Sequence, residues 1–299
     1  MSLRNLIELI LLAALWGASF LFMRVATPEF GAIALIEVRV LVASVFLLPF
    51  WIYREAAFTR RAAISHWRPL LAVGILNSAV PFVLFAYSTL YITGGYASIL
   101  NATAPLWGAL VAWIWLKKTM SMDGVAGLLL GLTGVGILVS GSLSTSLTGV
   151  SLGILAALIA SLLYGIAANY TTVRLAALSP LTISTFSQVG ATVVLLPLAI
   201  FYYPEQEISL QAWLAVISLG VFCTGFAYIL YFRLIAHVGS TKAITVTFLI
   251  PLFGTLWGAI FIDEQITIEM LIGSVVILSG TALVTGLLSL AKRPLKDTG

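Results

Sequence analysis

Apolar runs of membrane-crossing length, broken by short polar intervals, fill the chain from end to end. A helix needs about 20 mostly apolar residues to cross a bilayer. A backbone in lipid must satisfy its own hydrogen bonds, so such runs read as helices. The pattern predicts ten spans: 4–26, 32–53, 69–90, 94–116, 124–140, 149–170, 180–202, 211–235, 240–262 and 267–290. Glycine, proline or charge marks most of the gaps. No gap is long enough to hold a soluble domain. The small polar stretch "GSLSTSLTG" at 141–149 reads as a linker between two halves.

Charge placement orients these spans. With the N-terminus in the cytoplasm, Arg4, Arg54, Arg60, Arg61, Arg68, Lys117, Lys118, Arg174, Arg233, Lys242, Lys292, Arg293 and Lys296 all fall on the cytoplasmic side. The other side receives Arg24 and the acids Glu29, Glu205, Glu207, Asp263, Glu264 and Glu269, while Arg39 lies inside span two. Cytoplasmic loops are enriched in Lys and Arg. The bias therefore puts both termini in the cytoplasm and requires an even number of crossings.

The second half repeats the first. At an offset of 146, Trp67, Gly74, Ala97, Pro105, Gly108, Gly127 and Gly134 meet Trp213, Gly220, Ala243, Pro251, Gly254, Gly273 and Gly280. The first two spans of each half match more weakly at an offset near 148, where "WG" at 16–17 faces "YG" at 164–165 and "FLLP" faces "VLLP". Five spans per half is odd, so the second copy enters the membrane inverted. The end of span four then faces the cytoplasm with Lys117 and Lys118, and the matching end of span nine faces outward with Asp263 and Glu264. The expected fold is an all-α integral membrane protein of ten transmembrane helices in two inverted five-helix repeats. The expected divisions are 1–142, a linker at 143–148, 149–290 and a cytoplasmic tail at 291–299. Inverted repeats characterise many secondary transporters, whose halves exchange roles to open either side.

Composition narrows the class further. Hydrophobic residues make up 61% of the chain and charged residues 9%, against about a quarter charged in soluble domains. The net charge of +4 is spread over short loops, so no nucleic-acid partner is expected and the bilayer is the surrounding medium. The lone Cys223 forms no internal disulfide. The first apolar run is too long for a signal-peptide core. No GxxxxGK[ST] phosphate loop is present, so the chain carries no ATP motor. His66 and His237 fall near loops, so no metal site and no cofactor are expected. Spans lack paired catalytic groups, so the chain does not read as an enzyme.

"WGASF" at 16–20, Arg39 in span two, Pro105 and Pro251, and "DEQIT" at 263–267 are together similar to the EamA-type branch of the drug/metabolite transporter superfamily. The resemblance covers nearly the whole chain. It is closest to bacterial exporters of aromatic amino acids of the YddG type. It implies export of amino acids across a bacterial inner membrane. One departure stands out: members often carry Glu after span four, where this chain has Lys118.

Polar, ionisable or aromatic side chains at span depth are the candidates for a substrate cavity. They are Trp16, Arg39, Asn77, Ser78, Phe82, Phe85, Ser98, Asn101, Tyr164, Thr224, Tyr228 and Thr247. Ser78, Phe82 and Phe85 have the repeat mates Thr224, Tyr228 and Tyr231, so a polar-then-aromatic order survives the inversion. Such a lining suits a substrate with an amino-acid head and an apolar side chain; packing or lipid contact is the alternative for each residue. Arg39 is the most costly group and can attract a substrate carboxylate, form a structural ion pair, or snorkel. Glu37 reads as a proton carrier or an outer-leaflet acid. Pro105 and Pro251 each remove a backbone donor and free a carbonyl one turn earlier, which predicts kinks or hinges in spans four and nine. Trp51, Trp67, Trp113, Trp115 and Trp213 read as interfacial anchors.

The leading expectation is a secondary transporter of small molecules that exports neutral and aromatic amino acids by alternating access. Export of drugs or other metabolites is the alternative. Sugar phosphates want more than one intramembrane cation. An intramembrane enzyme or a channel fits less well. Monomer and homodimer both remain open.

Overall fold

The computed structural model describes residues 2–141 and 147–290. Residues 143–146 of the expected linker and the whole 291–299 tail lie outside the described residues. All regular elements among the described residues are helical.

The first helical run, Leu3–Arg54, is interrupted at Gly31, whose φ of 70° and ψ of 158° are non-helical. Glycine adopts such a conformation without a Cβ penalty. The run therefore makes two spans, at 3–30 and 32–54. A nine-residue helix, Ala57–Ser65, occupies what the pattern left as a loop. Span three is Trp67–Ser88, span four Gly94–Trp115 and span five Met122–Ser140. Spans six and seven are Leu147–Arg174 and Pro180–Phe201. Span eight is Leu210–Val238. Span nine is split into Ser240–Ala243 and Val246–Ile262, and span ten is Ile268–Val284. Span ten stops short of the expected residue 290. Gly286, at φ 72°, turns the chain, and Leu287 N–H donates back to Ala282 at 2.9 Å. This is the usual glycine closure of a helix.

Close approaches between helices occur in reciprocal pairs. Gly17 lies against Phe253 and Gly254, while its repeat mate Gly165 lies against Trp107 and Gly108. Gly74 meets Ser187 and Ala191, while its mate Gly220 meets Arg39 and Val42. Spans five and ten touch through Gly127 on Gly280 and Gly134 on Gly273, so the two run antiparallel. Reciprocal pairs of this kind are what a two-fold axis produces. An axis relating antiparallel spans lies across them, which makes the repeats inverted. Ser44 and Thr192, themselves repeat mates, sit 3.4 Å apart and mark the axis. Small residues allow these approaches where lipid supplies no hydrophobic drive between helices.

Spans four and nine both loosen in the turns preceding their prolines. Ala102 and Thr103 N–H groups donate three residues back, to Ile99 and Leu100, ahead of Pro105. Thr247 and Phe248 do the same, to Ile244 and Thr245, ahead of Pro251. The break in span nine starts earlier, and Pro251 itself stays inside the helix.

Trp51 corrects the expected anchor pattern. It is 6% exposed, packs edge-on to Phe186 at 4.9 Å, and donates its indole N–H to Thr182 at 2.9 Å. An indole donor inside the bundle needs such a partner. Trp67, Trp113 and Trp115 are exposed.

Candidate functional site

Spans three and eight each contain a π-helical turn, at Gly74–Ala79 and Val221–Phe226. The wider turn is uncommon and recurs at functional sites. In span three, Pro81 cannot donate to the Asn77 carbonyl, which favours the irregularity. In span eight, Thr224 Oγ1 donates to Leu219 O, five residues back, at 2.9 Å. The two turns carry Asn77, Ser78, Cys223 and Thr224 into the interior.

Arg39 is 5% exposed and lies at the centre of this region. Its Nε donates to Thr224 Oγ1 at 3.0 Å, and Nη1 lies 3.9 Å from the sulfur of Met23. Its guanidinium carbon stands 3.7 Å from the centroid of the Phe82 ring. Tyr164, Tyr228 and Cys223 are its electrostatic neighbours. No carboxylate forms an ion pair with it among the described residues. A desolvated cation on an aromatic face gains about 2 kcal/mol, which offsets only part of the cost of burying a charge. The guanidinium therefore has unmet capacity for an anion.

Aromatic rings flank it in two matching triads. Trp16 packs on Tyr228 at 6.4 Å and Tyr231 at 5.2 Å. Its repeat mate Tyr164 packs on Phe82 at 6.5 Å and Phe85 at 5.8 Å. Each triad joins the first span of one half to the third span of the other. Asn77 is a polar neighbour of Tyr228.

Trp16, Arg39, Asn77, Phe82, Phe85, Tyr164, Thr224 and Tyr228 thus come together. Ser78 turns to span seven, where its hydroxyl lies 2.8 Å from that of Ser187 and accepts from Gln188 Nε2 at 3.0 Å. Ser98 lies elsewhere: it bonds Gly95 O at 2.7 Å and packs on Gly254, between spans four and nine. Thr247 bonds Ile244 O at 2.8 Å, and its mate Asn101 is half-buried. Glu37 is 4% exposed, and neither carboxyl oxygen has a hydrogen-bond partner among the described residues. Met23, Ser187, Gln188 and both π turns escaped the sequence reading. The offset of 148, carried from Arg39 to Ser187, was the available signal.

Polar contacts tie spans together near both ends of the bundle. At one, Glu264 accepts from Gly94 N–H at 2.9 Å and Gly95 N–H at 3.3 Å, at the start of span four, and lies 3.5 Å from Arg24 Nε. Arg24 also donates to Thr89 O. At the other, Glu8 bridges Arg4 at 3.1 Å and Arg233 at 3.4 Å.

Comparison with known proteins places this arrangement. The model of the EamA-like transporter family matches residues 5–140 and again 151–286. An uncharacterized transporter of Bacillus subtilis, YoaV, is 21% identical, over 92% of this chain and 94% of its own. Protein PagO of Salmonella typhimurium is 24% identical, over 81% of this chain and 80% of its own. A solved crystal structure superposes with a TM-score of 0.64 at 17% identity, over 96% of this chain and 98% of that one. At that identity the likeness speaks to the fold alone.

Proposed function

The chain belongs to the EamA-like transporter family, so it is a multi-pass membrane transporter of small substrates, and on that premise we propose that it exports amino acids by alternating access through the space around Arg39. The observation that carries this reading is the buried guanidinium with no acidic partner among the described residues, stacked on Phe82 and bordered by Tyr164 and Tyr228. A carboxylate fits the cation and an apolar or aromatic side chain fits the rings. The two repeats, 1–142 and 149–290 around a 143–148 linker, are read as the moving halves, with Pro105 and Pro251 as their kink points. Lys and Arg placement supports a bacterial inner-membrane protein with both termini, including the 291–299 tail, in the cytoplasm. The end carrying Glu264 is then the outer one.

Counterflow in proteoliposomes against a panel of amino acids tests the proposal. Exchange of labelled neutral and aromatic amino acids is expected, with loss of exchange in Arg39→Gln. Folded protein that exchanges no amino acid overturns it. The two aromatic triads favour one second reading, export of flat apolar drugs or metabolites. Exchange of such compounds that survives in Arg39→Gln would support that reading instead.

A further inference from the structure

Span seven carries a polar group that the proposed role of Arg39 leaves unused. The offset of 148 takes Arg39 to Ser187, and the offset of 146 takes Ser78 to Thr224. The contacts follow the same rule. Arg39 Nε donates to Thr224 Oγ1 at 3.0 Å, and Ser187 Oγ lies 2.8 Å from Ser78 Oγ. Each pair joins the second span of one half to the π turn of the other. The two pairs are therefore equivalent about the axis marked by Ser44 and Thr192.

The two sides differ in chemistry. One holds a cation. The other holds two hydroxyls and the amide of Gln188, whose Nε2 donates to Ser78 Oγ at 3.0 Å. Gln188 is wholly buried, yet its Oε1 has no hydrogen-bond partner among the described residues. Its repeat mate is Val40, so the fold accepts an apolar side chain at the equivalent place. Packing alone does not call for an amide there, and an unmet buried acceptor is costly. Span seven, Pro180–Phe201, contains no ionisable residue, so nothing on it repels a cation.

We propose that Gln188, Ser187 and Ser78 form the subsite for the ammonium group of a zwitterionic substrate whose carboxylate pairs with Arg39. This rests on the amino-acid reading above. Oε1 and the serine oxygens accept hydrogen bonds from the ammonium, and the guanidinium donates to the carboxylate. Ser78 and Phe82 lie about one turn apart on span three, and Arg39 rests on the Phe82 ring, so both groups border the same stretch of that span. Here the subsite is closed by the bonds among Ser78, Ser187 and Gln188 themselves. It meets the substrate when spans three and seven part.

The test compares binding of L-phenylalanine with binding of its des-amino analogue, 3-phenylpropanoate, to purified full-length protein. Gln188→Leu is expected to weaken L-phenylalanine about tenfold or more, as loss of a hydrogen bond to a charged group does, and to leave 3-phenylpropanoate within about twofold. Ser187→Ala, a smaller change that keeps the packing, should shift the two ligands in the same unequal way by a lesser factor. Equal loss of both ligands in these variants, or no loss of either, overturns the subsite. Arg39→Gln separates it from the broader reading, because that variant should lose 3-phenylpropanoate while phenethylamine, which has no carboxylate, is spared. Wild-type protein that binds neither acid overturns both.

Discussion

Removing the Glu264 carboxylate should open one end of the transporter. Asp263 takes the left-handed conformation at φ 53°, and Glu264 N–H closes span nine by donating to Gly258 O at 3.1 Å. That turn aims the Glu264 side chain back at the first two free N–H groups of span four. A carboxylate is favoured there by both hydrogen bonding and the helix dipole. The matching turn at the other end has the same backbone: Lys117 at φ 54°, with Lys118 N–H on Ala112 O at 3.2 Å. A lysine cannot accept from an N–H, so the repeats build this latch at one end only. Two hydrogen bonds to a charged acceptor contribute about 1.5–3 kcal/mol each when buried. Water replaces part of that on opening, which leaves about 2–4 kcal/mol favouring closure. The Arg24 pair adds little, since that side chain is 35% exposed and such pairs contribute about 0–1 kcal/mol. A cysteine replacing Ala97, which is wholly buried, in a Cys223→Ser background reports opening through its maleimide labelling rate in detergent. Glu264→Ala should raise that rate by a factor on the order of 100. Glu264→Gln, which keeps one acceptor, should fall between it and the parent, and Arg24→Ala should change it by a few-fold at most. An unchanged rate in Glu264→Ala would refute the latch.

Other outcomes follow from the packing. Gly134→Val and Gly280→Val should each lower the melting temperature strongly, because even a Cβ would come 2.7 Å from Ile277 N and 2.5 Å from Gly127 O respectively. Gly136→Ala, which meets nothing within 4 Å, should be neutral in the same assay. Glu37→Gln should keep or raise thermal stability, since neither carboxyl oxygen is paired and the change removes a group that is costly to ionise there; a fall of several degrees would reveal a partner. A cysteine at Arg60 should resist impermeant maleimide in intact cells and react in inside-out vesicles, and the reverse result would overturn the cytoplasmic assignment.

The sequence alone determined the number of spans, their pairing into repeats and the inversion. Those features rest on local quantities: an apolar run must be a helix in lipid, lysine and arginine stay on one side, and five is odd. Arg39 was recognisable for a related reason, since a charge inside a span is expensive wherever its side chain points. Tertiary structure decided which faces meet. In lipid, the outside of a span and its packed face are equally apolar, so hydrophobic periodicity does not separate them. That is why Trp51 read as an interfacial anchor and proved buried, and why Ser98 read as cavity-lining and packs on Gly254. Hydrogen-bond partners are non-local as well. The Arg39–Thr224 and Ser78–Ser187 bonds join residues 185 and 109 positions apart, and only the crossing of the two halves brings them together. The same crossing brings the second span of the opposite half against Gly74 and Gly220, at the start of the two π turns.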